Sequence, residues 1–133
     1  MKSTNLSNQS ENEISYTIRG AIYNVFNLLG PGLLESVYVV ALRHELKKQF
    51  LKVLTEVAVP VFYEGEKLEL GFRLDLLIED KVIIEVKSVE NLAEVHHKQV
   101  LTYLKLTKLK LGILVNFNVA KINSGIYRKV NGL

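Results

Sequence analysis

The hydrophobic pattern changes its period along the chain, and each change marks an element. Ile14, Ile18, Ile22, Phe26 and Leu29 recur at helical spacing with Val25 beside them, which predicts an amphipathic helix over residues 13–29. Gly30-Pro31-Gly32 ends it and begins a second helix that runs to about Phe50. From Thr55 the texture becomes rich in Val, Ile, Phe and Leu, alternates with period two and is broken by turn residues. Three antiparallel strands are predicted, at about 55–63, 67–78 and 82–88, with turns at Glu64-Gly65-Glu66 and Glu79-Asp80-Lys81. Asn91-Leu92-Ala93-Glu94 has the spacing of a capping box, with Asn for the usual Ser or Thr, and opens a third helix through about Thr107. The apolar run Leu111 to Phe117 suits a buried strand, and Ile126-Tyr127-Arg128-Lys129-Val130 gives a short basic strand or tail. The order ααβββαβ implies an α/β domain over residues 13–133, a mixed sheet with helices packed on it, preceded by a flexible polar tail over residues 1–12.

Composition narrows the classes. A chain of 133 residues, 48% hydrophobic and 23% charged, is sized for one core and is not that of a disordered chain. There is no cysteine, which excludes a disulfide framework, a thiolate zinc site and a cysteine nucleophile together. The opening MKSTNLSNQSEN lacks an apolar signal region, and no apolar run reaches membrane-spanning length. A soluble, cytoplasmic protein with no membrane partner is expected. The net charge of +3 is compatible with a polyanionic partner and equally with an ordinary basic surface.

The strand pair carries the candidate chemistry. On the second strand Phe72, Leu74, Leu76 and Ile78 are expected on one face and Asp75 on the other. On the third, Val82, Ile84 and Val86 oppose Ile83, Glu85 and Lys87. A turn at 79–81 sets Ile78 against Val82 and Asp75 directly opposite Glu85, with Cβ atoms about 5 Å apart. Two carboxylates that close repel, and a divalent cation between them removes the conflict. Oxygen ligands suit Mg²⁺ or Mn²⁺. Lys87, on the same face, is placed to stabilise charge on a phosphate or to orient water. The alternative is a solvated surface ladder in which Lys87 pairs with Glu85 or Asp75. Against it, Ile83-Ile84-Glu85-Val86-Lys87 is too apolar for a solvated strand.

Two helices add candidates. On the second helix Glu35 falls within the arc of Leu34, Tyr38, Leu42 and Leu46, where it is either a ligand or a first-turn glutamate favoured by the helix dipole. On the third, His96, Gln99 and Tyr103 share a stripe; Gln99 and Tyr103 suit phosphate or water, or are a boundary residue and a core aromatic. Adjacent His96 and His97 point about 100° apart on a helix, which argues against zinc.

Together these blocks resemble a known family. Gly32-Leu33-Leu34-Glu35-Ser36-Val37-Tyr38 is similar to the signature of the GxxExxY protein family, and the likeness continues through Gly71–Asp75, Ile84–Lys87, His96–Gln99 and Leu114–Phe117. That family looks like a branch of the PD-(D/E)XK nuclease superfamily. The resemblance implies a nuclease-like mixed β-sheet flanked by α-helices, with Asp75 and Glu85 as metal ligands, Lys87 as the catalytic lysine and Glu35 as a helix-borne acid. Gln99-Val100-Leu101-Thr102-Tyr103 resembles the QxxxY pattern of the branch like the RecB nuclease. Leu74 stands where the superfamily usually has proline. The implied activity is Mg²⁺- or Mn²⁺-dependent hydrolysis of nucleic acid, DNA ahead of RNA. Asp75, Glu85, Glu35 and the Val86 carbonyl would hold metal, with Lys87 and Gln99 catalytic and Gln99, Tyr103 and His96 at the substrate. The alternative is a module that keeps the fold and binds nucleic acid or protein without cutting. At this size there is little surface for long duplex contacts, so a homodimer or a larger complex would make sense.

Overall fold

A computed structural model of the protein describes residues 9–133. Helix α1 (Glu11–Leu29) starts two residues before its expected position because Ser10 and Glu13 form a capping box. The Glu13 amide donates to Ser10 Oγ at 3.1 Å, and the Ser10 amide donates to Glu13 Oε1 at 2.8 Å. Glu11 and Asn12 therefore belong to the helix; residues 1–8 of the expected tail lie outside the described residues. Ile14, Ile18, Ile22 and Val25 form its buried stripe. Helix α2 (Glu35–Lys48) buries Tyr38, Val39, Leu42 and Leu46. It ends short of Phe50, which turns to φ 63°, a conformation no α-helix continues through.

Strands β1 (Val53–Tyr63), β2 (Glu66–Ile78), β3 (Val82–Lys87), β4 (Leu111–Asn116) and β5 (Ile126–Val130) form one sheet in sequential order. Neighbours are antiparallel except β3 and β4, which are parallel and joined across the sheet by α3 (Glu94–Thr107). The sheet is thus mixed and flanked by helices, as expected, with β5 added as a strand after a short 3₁₀ turn at Ile122–Gly125. Helices α1 and α2 cover one face, packing on Leu76, Ile78, Val82, Ile84, Val86, Ile113 and Val115. Each such buried aliphatic side chain contributes about 1.5–3 kcal/mol. On the other face α3 packs Leu104 against Leu74 and Ile83. Gly112 lets α3 lie close: a Cβ there would stand 2.8 Å from Val100 Cγ1. Sandwiched between these layers, β3 and β4 are buried on both sides, which is why they read as continuous apolar runs.

The β1–β2 hairpin departs from simple alternation. Before residue 56, Val53, Leu76 and Ile78 face α1 and α2; beyond it, Val57, Val59, Phe72 and Leu74 join the cluster under α3. Phe72 and Leu74 are therefore on the face opposite to Leu76 and Ile78, contrary to the expected single face. The switch falls between the pairs Thr55↔Leu76 and Val57↔Leu74, where Glu56 takes φ 53° and neither it nor Asp75 joins the ladder. The capping expected at Asn91 is also displaced. Helix α3 starts at Glu94 after Ala93, whose amide donates to His96 Nδ1 at 3.1 Å. Among the described residues no helix is long and apolar enough to cross a membrane.

Candidate active site

The site forms where two paired strands stop pairing through their backbones. Strands β2 and β3 keep the register Ile78↔Val82, Leu77↔Ile83 and Leu76↔Ile84, which brings Asp75 across from Glu85. At that point side chains take over. The Asp75 amide donates to Glu85 Oε2 at 3.0 Å, and the Val86 amide donates to Asp75 Oδ2 at 2.8 Å. Each carboxylate thus accepts from the opposite strand, and the two groups are locked side by side. Glu85 is only 4% exposed, and Asp75 is half-buried.

Burial sets the electrostatics. Desolvation, followed by the neighbouring Asp75 charge, pushes the Glu85 carboxyl up to about 8, against the relief given by its backbone hydrogen bond and by Lys87. Desolvation also raises Asp75, opposed by its bond from Val86 and by Lys87, and assisted by the charges of Glu56 and Glu35. Lys87 is near enough to act on both groups. Among the described residues, however, the ion pairs are Lys48–Glu45 and Lys52–Asp80, so Lys87 is not bridged to either carboxylate. A solvated ladder closed by Lys87 is excluded by the burial of Glu85 and by this open geometry.

Glu35 reaches the end of β3 through a braced loop. The Tyr38 hydroxyl donates to the Gly30 carbonyl at 2.6 Å and accepts from the Leu33 amide at 3.1 Å, while its ring stacks on Phe117 at 4.2 Å. Ser88 Oγ donates to the Leu33 carbonyl at 2.6 Å, and the Ser88 amide donates to Glu35 Oε2 at 3.2 Å. Glu35 is exposed and does not face the core, because Leu34 precedes the helix and is itself 74% exposed. An open recess of about 350 Å³ lies beside it, lined by Leu33, Leu34, Glu35, Ser36 and Ser88.

The sequence pattern of the PD-(D/E)XK nuclease superfamily matches residues 12–129. The chain belongs to that superfamily. No curated protein and no solved structure matches the chain. The superfamily likeness agrees with the observed mixed sheet flanked by helices; the narrower GxxExxY likeness rests on the sequence blocks alone.

The donor set bears on whether a divalent cation fits this nuclease-superfamily site. Two carboxylates, one deeply buried, face each other with no cation bridged to them; burial raises both, and a dication would offset that desolvation and the Asp75 charge that adds to it at Glu85. Among the described residues no three His, Asp or Glu side chains come together as a metal-holding group, so Glu35 stands apart from the central pair. The residues present fit a cation held chiefly by Asp75 and Glu85, with backbone or water oxygens completing the shell.

The remaining candidates lie on α3. The Tyr103 ring stacks on Phe72 at 4.1 Å, and its hydroxyl is beside Gln99. Burial, then Glu85 and Asp75, raise the Tyr103 hydroxyl. His96 spends Nδ1 on the cap of α3, leaving Nε2 as its free polar atom, whereas His97 meets Tyr127 edge-to-face at 4.8 Å. Sequence reasoning missed three residues. Ser88 ties β3 to the α2 loop, and nothing in its neighbourhood announces that. Asn116 is buried; its Oδ1 accepts from the Val89 and Asn118 amides and its Nδ2 donates to the Val89 carbonyl, fixing the segment after Lys87. A polar residue closing a buried apolar run was the available signal. Glu56 is the third, and its positive φ leaves no mark in the strand pattern. Holding a non-glycine residue there costs about 1–2 kcal/mol.

Proposed function

We propose that the protein is a metal-dependent nuclease that hydrolyses phosphodiester bonds in nucleic acid, with DNA preferred to RNA. The observation that carries this reading is the cross-bonded pair Asp75–Glu85, buried in a superfamily fold and raised together above ordinary carboxylate behaviour. Asp75, Glu85 and the Val86 carbonyl would hold Mg²⁺ or Mn²⁺, with Glu35 contributing from the loop side through water. The bound cation supplies charge neutralisation at phosphate and makes water more acidic.

The chain's own groups do the rest. Lys87, half-buried and unbridged, donates to a phosphate oxygen or orients the attacking water. Gln99 and the Tyr103 hydroxyl give polar contacts above the pair, and His96 Nε2 offers a further donor or acceptor to the nucleic-acid backbone. Phe72 holds Tyr103 in place from below. The test is cleavage of labelled single- and double-stranded DNA and RNA in Mg²⁺, Mn²⁺ or EDTA. Wild-type protein should cut with metal and stop in EDTA, and Asp75→Ala should be about a thousandfold slower or worse, since groups acting as a unit fail together. Equal cutting by Asp75→Ala would refute the assignment.

A further inference from the structure

Glu56 is the residue of β1 at which the hairpin turns over. The pairs on either side, Thr55↔Leu76 and Val57↔Leu74, keep the same register, so no residue has been inserted in either strand. Both strands rotate together instead, and the rotation is taken up at φ 53° of Glu56. A side chain with a β-carbon is uncommon there, and Gly or Asn is the usual occupant. The Glu56 carbonyl is held by Arg73 Nη1 at 3.2 Å. Across from Glu56 stands Asp75, whose amide, outside the β1 ladder, donates to Glu85 Oε2. The turnover and the carboxylate cross-bonding thus occur at one level of the sheet.

We propose that Glu56 is a positioning residue of the site, and that it places Asp75 through its left-handed backbone. Its conformation ends the regular twist of β2 at Leu76, so that Asp75 swings towards the Val86 amide and its own amide is left for Glu85. Without it, β2 would continue its ladder past Leu76, and Phe72 and Leu74 would turn away from α3. The second consequence links the site to the Phe72–Tyr103 stack, which exists only because the hairpin has rotated. The metal-binding part of this proposal rests on the function proposed above; the backbone part does not.

Strained backbone positions cluster where geometry serves function, and the substitution series separates backbone from charge. Glu56→Gly and Glu56→Asn keep access to positive φ and remove the carboxylate; Glu56→Ala and Glu56→Val disfavour that conformation, Val most. Two readouts apply to each folded variant: amide hydrogen exchange at Asp75 and Val86, and the affinity for Mn²⁺ alone by calorimetry. The Gly and Asn variants should keep exchange at both amides within about threefold of wild type, while their Mn²⁺ affinity also registers the loss of the Glu56 charge beside the pair. The Val variant should exchange those amides at least about tenfold faster and bind Mn²⁺ at least about tenfold more weakly, with Ala between. If Val does not fold, the Gly-over-Ala order carries the test. Wild-type behaviour in Val, or in Ala where Val is lost, overturns the proposal. So does an equal loss of amide protection in Gly, Asn and Val, which would give the role to the carboxylate. If wild type takes up no Mn²⁺, the metal reading fails, and the exchange rates alone still decide the role of Glu56.

Discussion

Strands β2 and β3 contain two regions with opposite logic. From Leu76 to Ile78, paired with Val82 to Ile84, backbone meets backbone and every side chain on the helix-covered face is aliphatic. One residue further, at Asp75 and Glu85, the ladder stops and carboxylates accept the amides of the facing strand. The first region follows every local rule of a buried sheet. The second breaks them with buried acid, an unpaired level of the hairpin and a positive φ beside it. Local rules are broken where function requires it, and the regular region is what holds the irregular one in shape.

The sharpest way to divide the two regions is to damage each separately. Lys87→Ala should reduce cleavage about a thousandfold, leaving Mn²⁺ affinity and melting temperature near those of wild type. Ile84→Ala, in the ladder region, should cost about 2–5 kcal/mol of stability by urea unfolding. The division would collapse if Lys87→Ala lowered stability as much as Ile84→Ala does.

A pH series sharpens the same contrast. In EDTA, Glu85 holds its proton up to about 8 in the fold, whereas unfolded it loses it from 4.5 upward. Between those values the folded state binds the extra proton, so stability is greatest at the low end and falls as pH rises. Asp75, also raised, acts in the same direction. At about 1.4 kcal/mol per unit, the loss is on the order of 4 kcal/mol from pH 4.5 to 8, and saturating Mn²⁺ should flatten it. Urea unfolding across this range is the measurement; stability that rises with pH in EDTA would contradict the buried pair.

The smallest effect concerns the brace. Tyr38→Phe leaves the stack on Phe117 but removes both hydroxyl bonds, stranding the Leu33 amide. It should lower stability by about 1–3 kcal/mol and loosen the loop that carries Glu35, seen as faster exchange at Leu33. Unchanged exchange there would detach Glu35 from this support.

Legibility in the sequence followed the same division. The ladder region was readable because Val82, Ile84 and Val86 alternate strictly with Ile83 and Glu85, and the three-residue turn at 79–81 fixed Ile78 against Val82. That register alone brought Asp75 opposite Glu85. The turnover at Glu56 was not readable: alternation is good on both sides of it, and no glycine or proline marks the joint. Extending the period straight through put Phe72 and Leu74 on the wrong face. Of the two readings of Glu35, its exposure in the first turn of α2 matches the dipole-favoured glutamate; the arc that set it towards the core counted Leu34 into the helix, when Leu34 is the exposed residue before it. The cap of α3 escaped because His96, not a residue of the Asn91 group, meets the Ala93 amide. Ser10 and Glu13 spell a capping box in plain sequence, but a reading from hydrophobic spacing alone starts the helix at 13 and leaves Ser10 to the tail.

The central claim is that Asp75 and Glu85 together receive a divalent cation. The most direct measurement is calorimetric titration of Mn²⁺ at pH 7 in buffers of different ionisation enthalpy, which counts protons released on binding. The account predicts one ion per chain with the release of close to one proton, taken from the pair, and loss of both signals in Asp75→Ala. Binding without proton release, or undiminished binding by Asp75→Ala, would contradict it.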